Sequence, residues 1–290
     1  MIDVSVCIPT YNRLPWLKEA VNSVFEQNGV SFELLILNNG CTDNDETRIY
    51  LSELEDRSAN VEVITSLVNR QETNMYEYTS GEFVTMLCDD DLLADSSSLA
   101  RRVKALRENP DAGFVFSSVL GHSENGEQLG RLSMGNFGEK DSYFTSETFF
   151  PKMFTECHVP FPSGMWRRDP FCNLINEEPV CRMGCSMDWG MWTKMLHSGA
   201  GAVYLAESTV SLRQHSGQDS YARGIAQGGF IKAALIQWDY YIKNGHKPSD
   251  QDWVRMNQII SSLQWQQNEL SKLANNNALG QLYEESLRVK

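Results

Sequence analysis

An α/β fold built on a mostly parallel open sheet is the architecture this sequence predicts, and three observations predict it. Short apolar runs with β-branched residues alternate with segments of helical spacing over the first 118 residues. Each run is bounded by Pro, Asn or Asp, the residues that end strands and make turns. The regular alternation implies βαβ units, hence parallel strands with both faces covered by helices.

Taken in order, VSVCIP (4–9) is a buried strand ended by Pro9, and Leu14, Leu17, Val21, Val24 and Phe25 then recur at helical spacing. FELLIL (32–37) is the second strand, followed by the turn-rich NNGCTDND, and residues 44–57 form a polar helix. VEVIT (61–65) is the third strand, and a helix over 71–80 precedes Gly81. FVTMLC (83–88) is the fourth, running straight into Asp89, Asp90 and Asp91; a helix over 97–108 and the strand AGFVFSSV (112–119) follow. Between 120 and 165 the pattern weakens, and frequent Gly, Ser and Asn between 121 and 146 predict long loops. Residues 187–197 read as a helix, 201–206 as a strand and 210–220 as strand passing into loop. Residues 222–243 and 250–274 are helical, the second with Trp253, Met256, Ile260, Leu263, Leu270 and Ala274 on near-heptad spacing interrupted by Gln267. They predict a helical lobe packed on the sheet, with a subunit interface or an acceptor-binding wall as the alternative.

The charge narrows the function. The chain carries a net charge of −13, which argues against nucleic acid as a main partner, since backbone phosphates need a basic surface. Residues 1–221 hold 17 basic and 32 acidic side chains, whereas residues 222–290 hold 8 and 6. No apolar window is long enough to span a membrane, and MIDVSVCIPTYNR lacks a basic-then-apolar leader. A cytoplasmic location is expected, with peripheral membrane association as the other option. The seven cysteines are odd in number and irregularly spaced, which does not suit a disulfide framework. Cys7 and Cys88 read as small buried apolar residues. Cys157, Cys172, Cys181 and Cys185 with His158 lack paired spacing, so ordinary thiols are favoured over a zinc site.

Ligands of open α/β sheets bind beyond the carboxyl ends of the strands, which here means Pro9–Arg13, Asn38–Asp43 and Asp89–Asp91. Three adjacent carboxylates at the end of an apolar strand are costly without a cation, and hard oxygen donors suit Mg²⁺ or Mn²⁺; a solvated acidic turn is the plainer alternative. Glycine-rich phosphate loops are absent. Tyr11 offers a ring to stack on a base and Arg13 a cation for a phosphate.

VSVCIPTYNRLPWLKEAVNSVFEQ, FELLILNNGCTDNDET and GEFVTMLCDDDLL together resemble the family-2 glycosyltransferases of the GT-A fold, whose segments read like VSVIIPTYNR, EIIVVDDGSTD and an Asp-rich D-x-D metal motif. The resemblance is continuous over residues 3–118. CSMDWGMWTKML and LRQHSGQDS resemble later family segments, the second being R-x-H-x-G-x-x-S. It implies a GT-A catalytic domain over 1–221, with a nucleotide-binding half (1–118) and an acceptor-binding half (119–221), then a helical extension over 222–290. It also implies an inverting transfer of a sugar from a nucleoside diphosphate sugar, UDP or dTDP favoured, to a hydroxyl of a saccharide, lipid-linked or small-molecule acceptor. Asp188 takes the place of the catalytic base. Pro9, Thr10, Tyr11, Arg13, Asn38, Asn39 and Asp89 would bind the nucleotide sugar, and Asp90, Asp91 and His215 a divalent Mn²⁺ or Mg²⁺. The family's Asp-Asp after the second strand is Asn38-Asn39 here; the Asn39 amide oxygen still accepts a hydrogen bond from a base, but without charge. Trp166, Trp189 and Trp192 stand either as sugar-stacking rings or as core. The C-terminal helices offer a route to a homo-oligomer. Two rivals are a sugar-nucleotide-binding protein without turnover and an Asp-dependent phosphotransferase with Asp89 as nucleophile and Asp91 as acid.

Overall fold

The computed structural model describes residues 2–43, 45–65, 74–132, 135, 137–171, 173–218 and 220–274. Its first half runs β1 (Val4–Thr10), α1 (Leu14–Phe25), β2 (Phe32–Asn38), α2 (Glu46–Arg57), β3 (Val61–Thr65), β4 (Phe83–Met86), β5 (Leu92–Leu93), α3 (Ser98–Glu108) and β6 (Ala112–Ser123). There follow β7 (Gln128–Leu132), β8 (Ser142–Phe144), α4 (Ser146–Thr155), β9 (Met165–Arg167), α5 (Arg168–Phe171), α6 (Met187–His197), β10 (Gly201–Gln214), α7 (Gly229–Lys243) and α8 (Asp250–Ala274). The helix predicted over 71–80 lies partly outside the described residues; its described part is the 3₁₀ turn Asn74–Tyr78.

The strands lie in the order β3-β2-β1-β4-β9-β6-β10-β5, with β7 beside β6 and β8 beside β10. β1 pairs parallel with both β2 and β4, and β2 with β3. The alternation of side chains along a strand explains why both faces are apolar. Val4, Val6 and Ile8 of β1 with Leu34 and Ile36 of β2 meet α1 and α3 on one face, while Cys7, Leu35 and Leu37 meet the aromatic layer of α4 and α6 on the other. Pro15 lies in the first turn of α1, where its missing N–H breaks no helical bond, and Leu17, Ala20, Val21 and Val24 form the buried stripe.

The region between 120 and 165 departs from the predicted long loops. It holds β7, β8, the helix α4 and the start of β9. β9 inserts antiparallel between β4 and β6, so that β6 runs parallel to β4 again. The two segments predicted at 201–206 and 210–220 are one strand, β10, pairing parallel with β6 through two register shifts.

Trp166 and Trp192 are fully buried and Trp189 is 5% exposed, so all three are core residues and not free faces for a sugar. The Trp192 ring stacks on Phe114 at 4.9 Å and meets Trp166 edge-on at 5.7 Å. The C-terminal helices join the same core through Ala233, Ala234, Trp238, Tyr241 and Met256. The Gln237 amide donates to Thr193 Oγ1 of α6 at 2.6 Å, and Trp238 Nε1 donates to the Phe154 carbonyl of α4 at 2.9 Å. Of the near-heptad positions of α8, Met256 is buried and Ile260 packs on the core, whereas Trp253 is 46% exposed; Gln267 reaches the Ala226 carbonyl at 3.1 Å. Among the described residues, no helix is long and apolar enough to cross a membrane.

Candidate active site

β1 and β4 are paired neighbours, so their carboxyl ends open into one crevice. The ladder continues one step past β4, from Leu87 N–H to the Cys7 carbonyl at 2.9 Å, and the chain then turns through the three aspartates. Asp89, Asp90 and Asp91 are 5%, 7% and 6% exposed, so the plain solvated acidic turn does not describe them. Each is held by different groups. Asp89 accepts from Thr10 Oγ1 at 2.9 Å, from the Tyr11 N–H at 3.3 Å and from Arg13 at 3.2 Å. Asp90 accepts from the same Arg13 Nη1 at 2.8 Å and lies 2.9 Å from His215 Nε2. Asp91 accepts from the Arg213 backbone N–H at 2.9 Å.

Burial pushes the Asp89 carboxyl up to about 6 against the pull of Arg13. Burial and the adjacent Asp90 charge drive Asp91 well above the ordinary carboxylate range. Burial acts on Asp90 too, but the His215 hydrogen bond and the Arg13 charge outweigh it and hold Asp90 below the ordinary value. Three neighbouring carboxyls out of water do not all ionise on one guanidinium. A further cation would let the rest do so, and two carboxylates beside a histidine and a thiol are a donor set that fits a divalent ion. The Cys88 Sγ and one carboxylate oxygen each of Asp90 and Asp91 lie within 4.8 Å of one another.

Arg13 precedes α1 as its N-cap residue and bridges Asp89 and Asp90, while its Nη2 donates to the Gly217 carbonyl at 2.8 Å. A guanidinium beside buried carboxylates takes them as partners. Asn12 sits at φ 55°, a left-handed conformation that asparagine tolerates, and exchanges hydrogen bonds with Thr42: Thr42 N–H to Oδ1 at 2.7 Å, and Nδ2 to Thr42 Oγ1 at 3.1 Å. This pair ties the loop after β1 to the loop after β2. Asn38 accepts from the Cys41 N–H at 3.0 Å and holds that second loop. Asn39 is 6% exposed, and its Oδ1 has no hydrogen-bond partner among the described residues.

Sequence reasoning passed over three residues here. Arg213, 1% exposed, donates from Nε to the Asp90 carbonyl at 3.0 Å, from Nη1 to the Glu124 carbonyl at 2.9 Å and from Nη2 to Glu19 at 2.6 Å. The Trp16 ring lies under this network, 4.5 Å from the His215 ring and 5.4 Å from the Arg213 guanidinium. The arginine of R-x-H was the only signal for it; Trp16 and Glu19 looked like ordinary positions of α1. Cys88 is the other correction. It is half-buried beside the carboxylates, not sealed in the core as Cys7 is.

Asp188 lies in the first turn of α6. That helix returns through residues 198–200 into β10, which runs parallel to β6, so its N-terminus lies toward the carboxyl end of the sheet. Asp188 is half-buried, and its charge adds to burial in raising the Cys157 and Cys185 thiols. Cys172 lies outside the described residues. Among the described ones, the remaining thiols and His158 form no metal-spaced group.

The sheet order, the crevice at the ends of β1 and β4 and the flanking helices define a GT-A fold. The sequence profile of glycosyl transferase family 2 matches residues 5–174, more than half of the chain, and the chain belongs to that family. An uncharacterized glycosyltransferase of Rickettsia bellii is 27% identical over 164 residues, 56% of this chain and 22% of the relative. The GalNAc(5)-diNAcBac-PP-undecaprenol beta-1,3-glucosyltransferase of Campylobacter jejuni is 26% identical over 162 residues, 53% of this chain and 50% of the relative. The chain thus spans half or less of the length of these two relatives. Among solved structures, S. aureus TarS in complex with UDP superimposes with a TM-score of 0.56 at 18% identity, covering 76% of this chain and 62% of that one. The mannosyltransferase PcManGT of Pyrobaculum calidifontis, in complex with GDP-Man and Mn²⁺, superimposes with a TM-score of 0.57 at 16% identity, covering 96% and 77%.

Proposed function

We propose that this chain is an inverting, metal-dependent glycosyltransferase that moves a sugar from a nucleoside diphosphate sugar to an acceptor hydroxyl. The observation that carries the reading is the buried step Asp89–Asp90–Asp91, bonded to Arg13, His215 and Arg213 at the carboxyl ends of β1 and β4. Asp90, Asp91 and His215 would hold a divalent ion, Mn²⁺ or Mg²⁺. When bound, such an ion supplies the positive charge that offsets the charge growing on the leaving diphosphate. PcManGT was solved with GDP-Man and Mn²⁺, which supports both the donor class and the metal.

The chain's own residues do the rest. Pro9, Thr10 and Tyr11 line the nucleotide pocket, and the Tyr11 ring stacks on the base. Asn39 offers a buried amide oxygen that has no hydrogen-bond donor among the described residues, which suits the N3–H of a uracil or thymine. Asn38 keeps that loop in shape. Asp89 meets the ribose or sugar hydroxyls, and Arg13 is the cation nearest the diphosphate. Asp188 removes the proton of the attacking hydroxyl. A base on the face opposite the leaving group gives inversion at the anomeric carbon. The domain division follows: a nucleotide half over 1–118, an acceptor half over 119–221 and a helical extension over 222–290. The Campylobacter relative's name includes an undecaprenol-linked sugar, which supports a lipid-linked acceptor.

A thermal-shift panel of nucleotide sugars with and without Mn²⁺ tests the donor, because a ligand that binds only the folded chain must raise its melting temperature. UDP or dTDP sugars are expected to stabilise the chain only with Mn²⁺ present. Calorimetry on Asp90→Ala should show metal-dependent donor binding lost; unchanged affinity removes the metal assignment. Binding without hydrolysis or transfer to any acceptor would instead favour a sugar-nucleotide-binding protein.

A further inference from the structure

Cys88 follows the last apolar residue of the β4 ladder and precedes the aspartates. Its side chain lies beside the Asp91 carboxyl and helps hold that group's charge. Its Sγ and the nearest oxygens of Asp90 and Asp91 form, among the described residues, the one group of three metal-ligating side chains within 4.8 Å of one another. Ligand atoms on one ion lie at most about twice the bond length apart, ~4.5 Å, so this trio is within a small side-chain rotation of a shared ion. His215 stands on Asp90 and outside the trio.

We propose that Cys88 is a further protein ligand of the metal in this site, adding a thiolate to the Asp90 and Asp91 carboxylates, with His215 reaching the ion's surroundings through Asp90. The inference rests on the metal-dependent reading above and extends it to the choice of ion. On binding, the S–H bond ionises, the electron pair goes to the metal and the proton leaves to solvent. Oxygen ligands alone suit Mg²⁺; a thiolate shifts preference toward softer ions such as Co²⁺, Zn²⁺ and Cd²⁺, with Mn²⁺ between. Cys88 thereby decides which metals the site accepts.

Co²⁺ titration of the full chain tests this, with and without UDP, followed together by near-ultraviolet absorbance and calorimetry. The expected result is a thiolate-to-cobalt charge-transfer band that saturates at one ion per chain. It should vanish in Cys88→Ser and in Cys88→Ala while persisting in Cys41→Ser. Cd²⁺ affinity should fall about 10-fold or more in Cys88→Ser, with Mg²⁺ affinity changed less than about 3-fold. Stoichiometric Co²⁺ binding without the band, or a band that survives in both Cys88 variants, overturns the thiolate ligand and leaves the metal reading standing. No calorimetric binding of either Co²⁺ or Mn²⁺ to the unmodified chain, with or without UDP, overturns both. A far-ultraviolet circular dichroism spectrum identical to that of the parent confirms that each variant is folded.

Discussion

Arg213 shows how the crevice is assembled at the scale of single residues. Its backbone N–H holds Asp91, its Nε holds the Asp90 carbonyl and its Nη2 pairs with Glu19. Those partners lie 122, 123 and 194 residues away in sequence, so the motif shows that an arginine is needed and not what it touches. Thr10, Tyr11, Arg13, the three aspartates and His215 were all legible as candidates; the structure links Thr10, Tyr11, Arg13 and His215 to Asp89 and Asp90 by hydrogen bonds, while Asp91 is held by the Arg213 N–H. Cys88 was not, because a thiol at the end of FVTMLC has the same pattern as a buried apolar residue. At Asp188 the replacement Asp188→Asn keeps shape and polarity while removing the basic lone pair. Donor binding by calorimetry should stay within about 3-fold, and transfer should fall by about 10²–10⁴-fold, the usual contribution of a general base. A fully active variant would move the base to another side chain.

Secondary elements were legible where an uninterrupted local period ran through them. α1, α3 and α6 each bury a helical stripe of several side chains, and the strands β1, β2 and β3 are five residues or longer. β9 is three residues long and pairs with strands about 80 and 50 positions earlier, so no local period announces it. α4 was hidden for another reason: Pro151 lies within it, and its apolar face, Phe149, Met153 and Phe154, follows a polar, glycine-rich stretch that reads as loop. Close approach also operates at this scale. A Cβ on Gly81, which leads into β4, would lie 2.6 Å from the Ser5 backbone nitrogen and 2.8 Å from the Val4 carbonyl carbon. Backbone cannot give way as a side-chain tip can, so Gly81→Ala should push β4 off β1. A loss of about 2 kcal/mol is expected in urea unfolding, in the range of overpacked cores. A variant as stable as the parent would mean that the start of β4 shifts freely.

At the scale of the whole molecule, the sheet is sealed on one face by α1 and α3 and on the other by an aromatic layer shared by α4, α6 and α7. The C-terminal helices are therefore part of the core and not an appendage on a linker. Buried at its centre is Arg102, fully enclosed, donating to Thr209 Oγ1 at 2.7 Å and Thr85 Oγ1 at 2.9 Å; burial lowers its guanidinium to about 9. The acidic body also carries a pH dependence. At Asp95, partial burial raises the carboxyl, but hydrogen bonds from Arg101 and Ser97 outweigh it and hold the group at about 2. A carboxyl lowered in the folded state stabilises above its unfolded value of about 4 and loses that contribution as pH falls toward 2. Asp95→Asn should flatten the drop in thermal stability between about pH 4 and 2; an unchanged acid limb would show that Asp95 contributes nothing there, as many exposed pairs do not.

The sequence by itself determined the local periods, the carboxyl ends of the strands, and so the identity of the crevice and most of its polar residues, because strand and helix periods are properties of neighbouring side chains. Tertiary structure alone decided which distant groups meet there. It set Arg213, Glu19, Trp16 and His215 around Asp90, turned Cys88 toward the same carboxylates, and took Trp166, Trp189 and Trp192 into the core. Pairings across 76 to 194 residues follow from strand order and helix packing, which no window of sequence encodes.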